Sequence, residues 1–164
     1  MDRKRKLHNQ GFSLIELVIV IVIIGIIGAI AIPRLTRGAT GAGAAALRAD
    51  LAHLRNAMEL YRAEHEGAYP TSAEAFANQL TLFTKIDGTD ADVKVDVASG
   101  RVYGPYLRAI PALPVGSKKG ANGITETLPG SATEGWVYNV TIGNVTAALP
   151  AGETDQDGVP YSNY

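Results

Sequence analysis

One segment constrains this chain more than any other. Phe12 to Ile32 runs 21 residues, with only Ser13 and Glu16 interrupting its apolar character. As an α-helix rising about 1.5 Å per residue it spans roughly 30 Å, the thickness of a hydrocarbon core. A helix in a soluble core keeps a polar face, and this run has no polar residue after Glu16. The expectation is a membrane helix. Arg3, Lys4, Arg5 and Lys6 stand before it against Asp2 alone, whereas only Arg34 and Arg37 follow closely. The positive-inside bias then leaves the N-terminus cytoplasmic and the remainder of the chain outside.

Composition matters here for what it excludes. The 164 residues carry a net charge of −1 and no cysteine. Near-neutral charge gives no electrostatic case for a nucleic-acid partner. Without cysteine there is no disulfide framework, thiolate zinc site or thiol catalysis. His53 and His65 lie twelve apart, whereas metal pairs on a helix prefer spacings of three or four, so both read as surface or packing residues. Gly38-Ala-Thr-Gly41-Ala-Gly43 has neither a preceding strand nor a following Lys-Ser/Thr, so it is no phosphate loop. No nucleophile–base constellation is visible, and the chain does not read as an enzyme.

An ordinary signal peptide has a shorter apolar region and a cleavage site beyond it; here the small-x-small residues Gly28 to Ala31 lie inside the run. A plain signal anchor leaves Glu16 unexplained. A carboxylate within a membrane span costs about 2.5–3.5 kcal/mol at the centre and less near the end. Such a residue calls for a use.

Lys6-Leu7-His8-Asn9-Gln10-Gly11-Phe12-Ser13-Leu14-Ile15-Glu16-Leu17 resembles the class III signal of type IV pilins and type II secretion pseudopilins. The resemblance implies a basic leader, residues 1–11, removed by a membrane prepilin peptidase that cuts between Gly11 and Phe12 and methylates the new Phe12 amine. It also implies that this amine meets Glu16 of a neighbouring subunit during assembly. Each charge is costly alone in apolar surroundings and largely compensated by the other, so the pair sets the stacking register. The implied partners are further copies of the chain in a helical filament, minor pseudopilins, an inner-membrane assembly platform and membrane lipid.

Beyond the membrane or filament-core helix of residues 12–33, Leu47, Leu51, Leu54, Met58 and Tyr61 recur at helical spacing, giving an amphipathic half over 34–66 with Gly67 as its stop. One helix from about 13 to 66 is expected, with weak points at Gly25, Gly28, Pro33, Gly38, Gly41 and Gly43. Two readings stay open: close helix packing through Gly25-x-x-Gly28, or a segment around Pro33 that kinks or melts on assembly. In the head, 67–164, Thr71 and Glu74 predict a capping box for a helix reaching about Phe83. Asp92 to Val97 alternates like a half-buried strand, residues 104–135 with Pro129 read mostly as loop, and 136–141 with 145–149 reads as a hairpin. The expected fold is α+β: a long N-terminal helix whose amphipathic half packs on a small antiparallel sheet.

Tyr61…Gly67-x-Tyr69-Pro70-Thr71 and Gly104-Pro105-Tyr106-Leu107 are similar to motifs of the secretion-type major pseudopilin, the G type. After Pro114, however, Val115-Gly116 stands where that group has a Pro-Trp-Gly-like run. Asp155-Gln156-Asp157-Gly158 places two carboxylates before a glycine turn, and the resemblance implies calcium there; the residues alone fit a solvated acidic turn as well. The implied function is a subunit of a type II secretion pseudopilus that drives protein export. The alternative is a type IV pilin of a surface pilus serving adhesion, twitching motility or DNA uptake. A membrane-anchored binding module would need neither the Gly11–Phe12 junction nor Glu16. The implied location is the inner membrane, crossed once, with the head periplasmic or extracellular. Mass spectrometry of the assembled protein should find a chain beginning at N-methylated Phe12; an N-terminus within 25–40 would mean ordinary signal-peptidase processing instead.

Overall fold

The computed structural model describes residues 12–128 and 130–164. The expected leader 1–11, including Gly11, and Pro129 of the expected loop lie outside the described residues. Helix α1 runs from Leu14 to Glu64, followed by α2 (Ala73–Thr81), strands β1 (Gly123–Thr125), β2 (Glu134–Asn139) and β3 (Asn144–Ala147), and a 3₁₀ turn at Tyr161–Asn163. Two compact units divide within α1: one ends at Gly38 and the other spans Ala39–Tyr164.

In the first unit, the apolar side chains from Phe12 to Leu35 are largely exposed, and α1 is long and apolar enough to cross a membrane. The helix continues through Pro33, although proline supplies no N–H to the carbonyl four residues before it.

In the second unit, the helical stripe is buried as its spacing requires. Ala44, Leu47, Leu51, Leu54, Met58 and Tyr61 lie in one core with Phe76, Leu80, Leu113, Trp136, Tyr138, Val145 and Leu149. Leu47 and Leu54 are completely buried. Gly43 is a contact site: a Cβ there would lie 2.8 Å from Val115 Cγ1, so α1 comes close to the 114–116 loop. The helix stops where Gly67 takes φ 85° and its N–H reaches the Arg62 carbonyl at 2.9 Å, a left-handed exit that glycine adopts without a Cβ clash.

The fold is α+β with a long N-terminal helix and a small sheet, as expected, but the sheet is mixed. β2 and β3 form the antiparallel hairpin, with Trp136 opposite Ala147 and Tyr138 opposite Val145. β1 pairs parallel to β2, with an irregularity between Gly123 and Ile124. β1 arises inside the stretch read as loop, because three residues are too few to show a period. The cap of α2 is also shifted: Ser72, not Thr71, accepts the Ala75 N–H, while Thr71 exchanges hydrogen bonds with Gln79.

Residues 92–97 do not form the expected strand. Asp92 pairs with Phe83 and Asp96 with Arg101 as isolated bridges. The period of two in the sequence does not carry over into burial: only Asp92 and Asp96 are half-buried, whereas Lys94 is exposed together with the valines, Val93 at 71% and Val97 at 79%. Asp96 Oδ1 accepts the Ala98 N–H at 3.0 Å, and Arg101 forms ion pairs with Asp90 and Asp92. Those polar contacts decide which side turns inward.

Leu54→Ala should destabilise the second unit by about 2–5 kcal/mol, the usual loss for a fully buried leucine. Denaturant unfolding followed by the fluorescence of Trp136, the single tryptophan and itself buried, measures it; a loss below about 1 kcal/mol would mean that the stripe does not carry the core.

Candidate functional site

The first turn of α1 brings together the residues singled out for processing and assembly. Phe12 is 79% exposed and precedes the helix. The Ser13 carbonyl accepts the Leu17 N–H at 3.2 Å, closing the first turn, and the Ser13 N–H donates to Glu16 Oε2 at 2.8 Å. Glu16 thus supplies the carboxylate half of a capping box. Helix N-termini leave N–H groups without intrahelical partners, and in hydrocarbon an unsatisfied group is costly. The positive end of the helix dipole favours the same carboxylate. Glu16 therefore has a partner within its own chain. The sequence reading missed it, although Ser13-x-x-Glu16 is the spacing that signals it.

The other expected site lies in the second unit, and its two carboxylates do not act together. Asp155 is buried. Its Oδ1 accepts the N–H groups of Asp157 at 2.8 Å and Val159 at 2.9 Å. Its Oδ2 accepts the Tyr164 hydroxyl and an Arg48 N–H, the latter at 3.3 Å. Both oxygens of neighbouring Glu153 accept from Ser117, and Asp157 is exposed. Calcium takes six to eight oxygen ligands. A carboxylate that already accepts four donors, one from a guanidinium, does not fit that ion. The structure does not bring the expected Asp155–Asp157 pair together: the loop curls so that Asp155 points to protein donors while Asp157 faces solvent.

His65, read from sequence as surface or packing, is buried and stacked on Tyr61 at 3.7 Å. Its Nδ1 lies 2.8 Å from the Tyr61 carbonyl, which can only accept, so Nδ1 carries the proton. Nε2 lies 3.0 Å from the Thr84 hydroxyl, so both ring nitrogens have partners. Tyr106, from the Gly104-Pro105-Tyr106-Leu107 motif, donates to Glu64 at 2.6 Å, so that motif anchors the end of α1. His53 is exposed.

Residues 6–32 match the model of the prokaryotic N-terminal methylation motif. Comparison with curated proteins and with solved structures gave no match. The motif and the exposed apolar helix support a type IV pilin-like, membrane-anchored structural subunit of a pilus or pseudopilus. The motif also implies prepilin peptidase processing and polymerisation into a filament.

The Tyr164 hydroxyl, then the Val159 N–H, hold the Asp155 carboxyl below the ordinary carboxylate range, with smaller help from the Asp157 N–H and Arg48. A depressed folded-state value stabilises the fold above the unfolded value of about 3.9, and that stability is lost as pH falls through the folded value. Asp155→Asn should therefore melt lower than the parent at pH 7, and the gap should narrow below about pH 4. A gap that stays constant across that range in thermal melts would uncouple Asp155 from acid unfolding.

Proposed function

We propose that this chain is a prepilin-type structural subunit that assembles, after removal of residues 1–11, into a type II secretion pseudopilus. The observation that carries the reading is the juxtaposition at the start of α1. The methylation motif covers the Gly11–Phe12 junction, and Glu16 lies four residues beyond Phe12 in the first turn of an exposed apolar helix. Cleavage at Gly11 frees the Phe12 amine, with an ordinary pKa near 8, and methylation leaves it a cation. Two charges in apolar surroundings favour pairing over isolation. A Glu16 oxygen held by Ser13 is already oriented when that cation arrives from a neighbouring copy.

The Gly104-Pro105-Tyr106-Leu107 motif and the lack of cysteine support the secretion assignment. In that setting the filament works on exported proteins together with minor pseudopilins and an inner-membrane platform. Val115-Gly116 after Pro114 favours the second reading, a type IV pilin of a surface pilus. Both readings place the N-terminus in the cytoplasm and residues 67–164 outside it. In both, the segment around Pro33, short of one backbone donor, is where α1 would unwind as subunits pack.

Glu16→Gln keeps a capping oxygen and loses the charge, whereas Glu16→Ala loses both. Both variants should be cleaved and inserted normally. Both should lower filament yield by on the order of tenfold or more, the loss expected from about 1.4 kcal/mol of pairing at each contact. Filament counts by electron microscopy, beside a cleavage assay, measure this. Normal filaments from both variants would remove the pairing, and normal filaments from Glu16→Gln alone would leave Glu16 as a cap only.

A further inference from the structure

Four observations converge on the loop that runs from Glu153 to Tyr164. Its start and end are tied by the Thr154–Pro160 bridge and by the Tyr161 N–H on the Glu153 carbonyl at 3.0 Å. Asp155 stands at the centre, with its carboxylate accepting two N–H groups of its own loop. Arg48, on α1, reaches that carboxylate and also donates to the Tyr164 hydroxyl at 2.6 Å, with its guanidinium 4.4 Å from the centre of the Tyr164 ring. Two turns further along the helix, Arg55 donates to the Tyr164 main-chain oxygen at 2.7 Å and to the Val145 carbonyl at 2.9 Å.

We propose that Arg48 is the resident cation of this loop, closing it onto α1 through Asp155 and Tyr164 so that the head folds without a divalent metal ion. The chemistry is that of a metal clip built from side chains. A clip needs a positive centre, an anionic partner on the loop and further donors or acceptors that fix its direction. The guanidinium supplies the charge; its Nη2 reaches both oxygen atoms while its plane lies over an aromatic face. Lysine offers a flexible point charge and cannot do both in one geometry. Asp155 supplies the anion, and Tyr164 joins the two by donating to Asp155 while accepting from Arg48. Tyr161, buried in the core three residues before Tyr164, meets that ring edge-on at 5.9 Å and positions it. The consequence holds for either kind of filament: head stability and assembly do not follow the calcium level of the surroundings.

The test uses the full chain in detergent, with thermal unfolding followed by Trp136 fluorescence. The parent should show the same midpoint in millimolar calcium chloride as in chelator. Arg48→Met, which keeps the aliphatic stem, should lower the midpoint by about 3–6 °C, the range for losing a hydrogen bond to a charged group in a unit of this size. Asp155→Asn should also lower it, and the double variant should fall no further than the worse single, because the two residues act through one clip. A calcium-induced rise of several degrees in the parent would overturn the proposal, as would additive losses in the double variant. Should Arg48→Met fail to fold, Tyr164→Phe keeps the ring and removes the bridging hydroxyl. It should melt below the parent and remain indifferent to calcium; a midpoint equal to the parent's, or one raised by calcium, would overturn the proposal equally.

Discussion

The contact on which the second unit depends is the packing of one helical stripe on one hairpin. From Ala44 to Tyr61 the buried residues of α1 form a continuous apolar edge, and Trp136, Tyr138, Val145 and Ala147 meet it from β2 and β3. A two-stranded hairpin is marginal alone in water and gains stability by packing against a helix. The helix supplies the surface that the sheet lacks, and the sheet covers the stripe that the helix cannot leave in water. Polar groups drawn into this core bring partners with them: Trp136 Nε1 donates to the Pro111 carbonyl, and the Tyr138 hydroxyl to that of Pro70, both at 2.8 Å. The proline-bearing loops are thereby fastened to the strands.

Around that contact, arginines of α1 act as fasteners for segments distant in sequence. Arg48 and Arg55 stand two helical turns apart and both reach Tyr164. Isolated ion pairs at a surface contribute little. Here, however, the Asp155 carboxylate is buried and each of its oxygens has two donors. Its charge is compensated by several hydrogen bonds at once, which makes removal of a single partner more damaging than a count of ion pairs suggests. With no cysteine in the chain, no disulfide backs these bonds.

The first unit follows different physics. Its side chains find no core among the described residues, and its largest apolar groups are exposed. Such a helix requires lipid or other helices as its solvent, as a pilin-like subunit has in the membrane and then in the filament. Glu16 is the charged residue within the apolar run, and its bond to the Ser13 N–H serves the helix terminus before any neighbour arrives.

Sequence alone determined what depends on spacing along one chain. The apolar run, the Gly11–Phe12 junction with Glu16, the stripe from Leu47 to Tyr61 and the hairpin around Gly143 are all local patterns, because a helical or strand period is imposed by the backbone itself. The antiparallel sheet expected from the hairpin became a mixed one, since β1 is stabilised only by the neighbour it finds. Asp92 to Val97 alternates in sequence but leaves its valines exposed, because Asp92 and Asp96 turn instead to Arg101 and turn N–H groups. The partner of Asp155 was hidden for the same reason: Arg48 lies more than a hundred residues away, and a carboxylate shows no sign in sequence of which cation will reach it. Only the tertiary structure decides that, because the choice depends on which cation the fold delivers within hydrogen-bonding distance.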